Sequence, residues 1–349
     1  MATTLRDIAQ KTHLSLATVA KVLGKESARF KPETRRRVLR VAEELGYRPF
    51  RSAIAMRSGR TDTLCLLQSV EAHRSMVMGG VLEGIQDVVR EERLHLSLAQ
   101  LPDEKLAHRG FVPRILTELA CDGLLVNYNT QVPQAMIDLI DRFQTPAIWL
   151  NIKRPCNCVF PDDLLAGELA AQHLFKQGFE DVAFVDLSNG LDTLPQDCHY
   201  SAIDRYNGVM KVARNRGRSV ARISGKTTIP QPQRMQFLCN WLREHPRPVG
   251  IVAYAAWEAR AVATACLATG RHIGREVGLV AIHEAPLHDL GFAIDTVVLP
   301  ERQMGRMAAR MLIDRLRQPK DNQPAAMLAP MLVEAAGAEP SSGTERTTP

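Results

Sequence analysis

The stretch that decides the fold of the N-terminal part of the chain is residues 14–23, LSLATVAKVL. Ser15 suits the N-cap of a helix, because its hydroxyl can accept a hydrogen bond from a backbone N–H of the first turn. Apolar residues then recur at helical spacing, at positions 16, 19, 22 and 23. The side chains at 17, 18 and 20 are short, which lets the start of the helix approach a partner surface closely. We predict an amphipathic helix capped by Ser15.

Two further helices are predicted on either side of this stretch. Residues 4–7, TLRD, read as a capping box and open a first helix that ends near Lys11. Only residues 12–14 separate it from the next helix, which is typical of a helix-turn-helix. A third helix opens at Pro32 and ends before Gly46, a C′ glycine. Its predicted apolar stripe is Val38, Leu39, Ala42 and Leu45.

The positive charge of the chain is concentrated in this head. Residues 1–60 hold 14 Lys and Arg against 5 Asp and Glu, a net charge of +9, whereas the remainder holds 30 against 33, a net charge of −3. A basic head on a mildly acidic body is typical of a nucleic-acid-binding module joined to a partner domain. The hydroxyls of the second helix and Lys21 can bond phosphates or base edges in a major groove.

Composition restricts the class of protein. The 349 residues are 45% hydrophobic, which suits a globular chain of two or three domains. No apolar run approaches the ~20 residues of a membrane span, and the N-terminus lacks a secretory apolar region. Seven scattered cysteines argue against a disulfide framework and indicate a reducing cytoplasm. Cys156 and Cys158 have no second Cys/His pair at a usual metal-ligand spacing, so no metal or other cofactor is expected.

Enzyme motifs are absent from the sequence. His283 and His288 are five residues apart with Pro286 between them, so they cannot share one helical face as zinc ligands do. Residues 79–84 lack the Lys-Ser/Thr of a phosphate-binding loop, and no G-x-S-x-G occurs. We therefore expect no catalytic activity.

The body alternates apolar runs with helical stretches, which predicts parallel sheets covered by helices. Predicted strands are 64–67, 94–99, 123–126, 147–150, 182–185, 249–253 and 277–282, and predicted helices include 80–92, 163–177 and 202–216. Two similar halves, 62–161 and 162–289, suit two doubly wound α/β lobes, with ligands beyond the carboxyl ends of the strands. The predicted fold class is an all-α helix-turn-helix head on an α/β body.

Order and spacing give the head a family resemblance. Residues 5–9, 14–23, 34–38 and 45–49 resemble the lactose-repressor (LacI/GalR) family of transcriptional regulators. The resemblance implies that Leu16, Ala17 and Lys21 read bases of double-stranded operator DNA. It also implies further DNA contacts by Leu5, Ser15, Thr18, Thr34, Tyr47 and Ala53. His13 stands at a turn position where glycine is usual, Ala20 replaces a serine, and Lys21 replaces a common arginine.

The linker, residues 50–61, is similar to the hinge helix of the same family. In the family this segment folds on DNA, and paired hinges insert an apolar side chain into the minor groove. By position that side chain is Met56. The plain alternative is a basic linker without this role.

The body, residues 62–338, also resembles this family and the periplasmic sugar-binding fold, through residues 84–85, 122–125, 146–151, 163–174 and 205–208. The resemblance implies a homodimer with a small molecule, a sugar or sugar derivative, bound between the lobes. By position Asn151 and Arg205 contact it. Trp257 offers a stacking face, and His283 stands where an aspartate is usual. Ala255 and Ala256 replace a polar Asn-Asp pair.

Two functions of the body therefore remain open. In the first, the effector controls operator affinity, most simply in a repressor. In the second, the sensor has lost its ligand and serves only dimerisation or partner binding. The first lobe is expected over 62–161 and 292–321, and the second over 162–289 and 322–338. Residues 339–349, rich in Ser, Thr, Gly and Pro, read as a disordered tail.

Overall fold

The computed structural model describes residues 3–24, 26–48, 55, 59–71, 74–101, 113–193, 198–289, 292–318 and 321–335. The chain divides into two compact units, residues 1–61 and 62–349. Among the described residues, no helix combines the length and apolar character needed to cross a bilayer.

The head is built from three helices and one short turn of 3-10 helix. They are α1 (Leu5–Thr12), α2 (Leu16–Val22), the 3-10 turn (Ser27–Arg29) and α3 (Pro32–Glu44). The Asp7 carboxylate accepts a hydrogen bond from the Thr4 backbone N–H at 2.7 Å, so the predicted capping box forms. Ser15 Oγ accepts from the Thr18 N–H at 3.1 Å, as its N-cap position predicts.

The core of the head corrects two details of the predicted stripes. Ile8, Val19, Val22, Val38, Val41 and Ala42 are buried together. Leu39 is instead 44% exposed and Val41 takes its place, because Val38, Val41 and Ala42 share one face at 3.6 residues per turn. Leu16 is 45% exposed, so it belongs to the outer face of α2. His13 ends α1 in the left-handed region, at φ 51°, where glycine would be unstrained.

The first lobe is a six-stranded parallel sheet with strand order β12-β5-β4-β3-β1-β2, in which β12 is Ala326–Leu328. Its elements are β1 (Thr63–Ser69), α4 (Gly79–Glu91), β2 (His95–Leu101), α5 (Arg114–Thr117), β3 (Gly123–Asn127), α6 (Gln134–Arg142), β4 (Ala147–Leu150) and β5 (Cys158–Pro161). The predicted strands of this half are confirmed within about two residues at each end.

The second lobe has its own sheet, of order β10-β11-β9-β8-β6-β7, with β13 (Met331–Val333) beside β11. Its elements are α7 (Asp163–Lys176), β6 (Val182–Val185), α8 (Tyr200–Arg214), β7 (Val220–Ile223), α9 (Gln231–Glu244), β8 (Val249–Ala253), α10 (Ala256–Thr269), β9 (Val277–His283), β10 (Leu287–Asp289) and β11 (Phe292–Val298). Helices α7 and α8 cover one face, and α9 and α10 cover the other.

The C-terminal boundaries of the lobes differ from the prediction. After β11 come α11 (Glu301–Arg317), β12 (Ala326–Leu328) and β13 (Met331–Val333). Strand β11 belongs to the second sheet, although residues 292–321 were assigned to the first lobe. Strand β12 pairs with β5 of the first sheet, although 322–338 were assigned to the second lobe. The three residues of β12 carry too little periodicity to indicate which sheet they join. The seven residues of β11 indicate a strand but not its partner, because pairing with a distant strand leaves no local pattern.

Two helix pairs cross at glycines. A Cβ on Gly84 of α4 would lie 2.0 Å from the Arg302 carbonyl oxygen of α11, and a Cβ on Gly305 would lie 2.0 Å from that of Val81. In the second lobe, a Cβ on Gly167 would lie 2.0 Å from the Arg205 carbonyl oxygen. Only glycine permits such close approach. The second crossing fixes α8, and with it the Arg205 backbone, against α7.

Candidate DNA interface and effector site

The outer face of α2 carries the side chains predicted to meet DNA. Ser15, Leu16, Ala17 and Lys21 are exposed, whereas Val19 and Val22 fill the core of the head. Thr18 is half-buried, and its hydroxyl lies 2.8 Å from that of Ser15. The periodicity that buries one side of α2 therefore leaves Leu16, Ala17 and Lys21 exposed on the other side, next to the hydroxyls of Ser15 and Thr18.

The remaining residues predicted to meet DNA are less uniformly placed. Leu5 and Tyr47 are half-buried and pack at the edge of the head core, and Thr34 on α3 is half-buried. The exposed outer face of α3 carries four arginines, Arg35, Arg36, Arg37 and Arg40. Ala53 and Met56 lie outside the described residues.

Arg205 of α8 is buried and held on two sides. Its Nε donates to Asp163 Oδ1 at 2.7 Å, and its Nη1 donates to the Tyr254 carbonyl oxygen at 2.6 Å. Its guanidinium also lies 4.8 Å from the centre of the Tyr254 ring. The predicted effector residue is therefore a buried cation whose charge is balanced by the first residue of α7.

A chain of hydrogen bonds joins Arg205 to Asn151 across the two lobes. His199 Nε2 donates to the Asn151 carbonyl oxygen at 2.8 Å, and the Ser201 N–H donates to His199 Nδ1 at 3.3 Å. The Ser201 hydroxyl lies 2.9 Å from the Tyr254 hydroxyl. Burial lowers the pKa of His199 and favours the neutral ring that this pattern requires, with its proton on Nε2.

Other contacts reinforce this junction of the lobes. The Tyr200 hydroxyl donates to Asn151 Oδ1 at 3.3 Å. Lys153 forms an ion pair with Asp204 on α8, and its ammonium lies 4.9 Å from the centre of the Tyr200 ring. Asn151 itself has φ 52°, a conformation that costs energy for a residue other than glycine. The predicted pair Asn151 and Arg205 is thus brought into one network, through residues that the sequence did not single out.

Trp257 and His283 lie outside this network as far as the described contacts go. Trp257 is half-buried in the first turn of α10, and the Arg234 guanidinium lies 4.5 Å from its ring centre. One face of the predicted stacking platform is therefore occupied. His283 is half-buried at the end of β9, where burial lowers its pKa. Ala255 caps α10 and Ala256 begins it, so neither offers a polar group; Tyr254 supplies the carbonyl and hydroxyl beside Arg205.

Two buried carboxyl groups of the second lobe were also not identified from the sequence. Asp186 follows β6 and accepts from the Asn189 N–H at 2.9 Å, while burial raises its pKa. Glu258 in the first turn of α10 is completely buried, and its two carboxyl oxygens have no hydrogen-bond partner within the described part of the chain. Burial raises the pKa of Glu258 well above its ordinary value, and the Asp186 charge raises it further. No local pattern distinguishes such an acid from an exposed first-turn glutamate.

A third buried carboxyl lies where the chain returns to the first lobe. Glu301 begins α11, and burial together with the Glu284 carboxyl raises its pKa to about 8. It packs against Gly80, where an added Cβ would lie 2.8 Å from Glu301 Cβ. Within the described ranges, no group of three or more His, Cys, Asp or Glu side chains could hold a metal ion.

Two protein-family models and several known regulators match this chain. The family model described as bacterial regulatory proteins, lacI family, matches residues 4–49, and the model described as a periplasmic binding protein-like domain matches residues 171–335. The chain is similar to the HTH-type transcriptional regulator PtxS of Pseudomonas putida, with 25% identity over 323 residues, 90% of this chain and 89% of the relative.

Solved structures show the same fold. A Lac repressor bound to ONPG in the repressed state has a TM-score of 0.76 and 18% identity over 96% of this chain and 99% of that chain. A Lac repressor dimer bound to operator and the anti-inducer ONPF has a TM-score of 0.72 and 17% identity over 96% of this chain and 98% of that chain.

The head and body together define a DNA-binding transcriptional regulator with a periplasmic-binding-protein-like sensor body. The chain carries a LacI-family DNA-binding domain over residues 4–49 and a periplasmic-binding-protein-like domain over residues 171–335.

Proposed function

We propose that this regulator is a repressor that binds operator DNA as a homodimer and responds to a small molecule bound between the lobes of its body. The carrying observation is the exposed face of α2, which presents Ser15, Leu16, Ala17 and Lys21 within a head that matches the lacI family. A recognition helix reads bases with side chains of this kind in the major groove. The similar Lac repressor structure is that of a dimer bound to operator, which supports the same assembly here.

We assign the proposed roles to successive segments of the chain. Residues 1–49 bind DNA, 50–61 form the hinge with Met56 as the minor-groove wedge and Ala53 beside it, and 62–338 form the sensor. Residues 339–349, predicted from the sequence to be a disordered tail, lie outside the described residues. Ser15, Thr18, Thr34 and Tyr47 hold phosphates, Leu5 contributes at the same surface, and Leu16, Ala17 and Lys21 read bases. Such a regulator acts in the cytoplasm and needs no catalytic centre, cofactor or membrane.

The effector site is proposed at the junction of the lobes, where Asn151 and Arg205 meet, with Trp257 and His283 on its second-lobe side. A ligand there contacts both lobes and favours one angle between them. It shifts the equilibrium by the difference in its affinity for the two angles. A similar solved structure is a complex of the transcriptional regulator CelR with cellobiose, which supports a carbohydrate-like effector for this chain.

One observation favours the second candidate, a sensor that has lost its ligand. The carbonyl and side-chain oxygens of Asn151 and two nitrogens of Arg205 are already hydrogen-bonded within the protein. A ligand must replace these bonds or use the atoms that remain. In this candidate the same network holds the lobes in one arrangement permanently, and the body serves only dimerisation.

Two measurements on the full-length protein test these functions. Genomic DNA fragments selected by the protein should share one near-palindromic site, as a dimer with two heads requires. A thermal-shift screen with neutral sugars, sugar acids, sugar phosphates and nucleosides should then find a stabilising compound. At ~100 times its dissociation constant such a compound adds ~2.7 kcal/mol. Fragments without a shared site contradict the repressor, whereas a shared site without any stabilising compound favours the ligand-free sensor.

A further inference from the structure

One acidic residue of the head lies beside the exposed face of α2. Glu26 precedes the 3-10 turn that follows α2, and its Oε2 lies 4.0 Å from Lys21 Nζ and 3.0 Å from Arg29 Nη1. All three side chains are accessible, with 56% of Lys21, 43% of Glu26 and 78% of Arg29 exposed. Lys21 is a residue to which the proposed function gives base contacts.

The fold of the head does not account for this acid. Glu26 stands at the N-cap of the turn but makes no side-chain capping bond there. Its ion pairs are exposed, and exposed pairs contribute little to stability because water and salt screen them. A carboxylate beside the recognition helix also repels DNA phosphates, which lowers affinity for every sequence alike.

We propose that Glu26 is a specificity-determining residue, which accepts a hydrogen bond from the exocyclic amino group of a cytosine in the major groove. The inference rests on the proposed function. A carboxylate has about four acceptor sites, so the contacts at Oε2 leave capacity for a base donor. Cytosine N4 is the major-groove donor that Glu and Asp side chains accept from.

Glu26 also controls how available Lys21 and Arg29 are for contacts with DNA. While both cations are paired with Glu26, they are less available to phosphates of an arbitrary sequence. At a site with the matching cytosine, the carboxylate gains a partner that compensates its own desolvation. At other sites the acceptor capacity meant for the cytosine amino group is desolvated without a donor, and specificity arises from that penalty.

The test compares base preferences of full-length variants by selection from a randomised operator library. Glu26→Ala should lose preference for one cytosine in each half-site, a loss of roughly five- to tenfold in discrimination. Glu26→Gln should shift that preference to adenine, because an amide pairs with adenine N6 and N7. Both variants should bind unrelated DNA more tightly than the parent.

Glu44→Ala is the matched control. Glu44 is an exposed acid of the same head that also meets two cations, Lys11 at 3.2 Å and Arg40 at 3.6 Å, but it lies at the end of α3. Its loss should raise binding to unrelated DNA by a similar factor and leave the preferred sequence unchanged. If Glu26→Ala and Glu26→Gln keep the parental preference at every position, Glu26 does not read a base. If the parent itself selects no sequence, the proposed function fails instead.

Discussion

His199, the N-cap residue of α8, donates its Nε2 proton to the carbonyl oxygen of Asn151 at 2.8 Å, and this bond ties the second lobe to the end of a first-lobe strand. Asn151 accepts it from a left-handed backbone conformation, at φ 52°. A strained residue persists only where its surroundings hold it. The contact therefore identifies the junction at which a change in the angle between the lobes must break or remake hydrogen bonds.

Arg205 should be needed for the response to the effector and not for DNA binding. Arg205→Ala leaves Asp163 as a buried charge without its partner, which costs about 3–5 kcal/mol of stability. Arg205→Lys keeps the charge but loses the second guanidinium bond, so it is the variant for functional work. We expect it to bind operator like the parent and to show no change in affinity with a compound that stabilises the parent.

Arg214→Lys, an exposed change on the same helix, controls for the substitution itself. Operator titrations with and without the compound provide the measurement. A parental response in Arg205→Lys would place the effector elsewhere.

Glu258 should make the stability of the body depend on pH. Its folded pKa is raised above the ordinary value of 4.5, so the folded state retains a proton that the unfolded state releases. Stability is therefore greatest below 4.5 and falls as the pH rises toward the folded pKa. Glu258→Gln removes this dependence, and its advantage over the parent should grow by up to about 1.4 kcal/mol per pH unit above 4.5.

Denaturant unfolding of both proteins at pH 4.5, 6 and 8 measures the difference. The exposed substitution Glu244→Gln on α9 should give the same result as the parent at each pH. A constant difference between Glu258→Gln and the parent at all three values would mean that Glu258 is ionised in the folded state.

Gly167→Ala should destabilise the body, although alanine normally favours a helix over glycine. The new Cβ would lie 2.0 Å from the Arg205 carbonyl oxygen, which is backbone and cannot rotate away. Overpacking of this kind costs about 1–3 kcal/mol. In Gly79→Ala the new Cβ meets no atom within 4 Å, so this substitution in α4 should be nearly neutral. Thermal unfolding distinguishes them, and equal melting temperatures would contradict the close crossing of α7 and α8.

Met56→Ala should weaken operator binding by roughly tenfold or more while the body unfolds as in the parent, because it removes the proposed minor-groove wedge. Met331→Ala provides a control, since Met331 is another methionine, 63% exposed, in the body. Gel-shift mobility reports the bend of the operator. Parental affinity and parental bending in Met56→Ala would leave residues 50–61 as a plain linker.

The sequence predicts what depends on local periodicity and chain order. Helices α1–α3 are confirmed, because burial of one face imposes a repeat of 3.6 residues. Most body strands are confirmed, because strands buried on both faces of a parallel sheet form continuous apolar runs. The left-handed His13 also follows from its place in a turn. The predicted assignments of β11 to the first lobe and of β12 to the second lobe were wrong, since pairing between strands distant in sequence leaves no local pattern.

The effector site, too, could be predicted only in part from the sequence. Asn151 and Arg205 were identified by position, but His199 and Tyr254, which connect them, were not. His199 meets Asn151 across 48 positions of sequence, and Arg205 meets Tyr254 across 49. Such contacts depend on how the two lobes pack. The burial of Glu258 likewise depends on the packing of α10 against its sheet.

The dependence of DNA affinity on salt tests the central claim most directly. Residues 1–60 carry 14 basic side chains, and each phosphate neutralised by one of them releases counterions. For the full-length protein and a selected genomic fragment, log K against log salt should fall linearly, by about 0.9 per phosphate contacted. We predict a steep negative slope for the selected fragment. Unrelated DNA should bind with lower affinity but show a similarly steep slope. A flat plot would contradict the account, because it would show that the basic head does not bind the phosphate backbone.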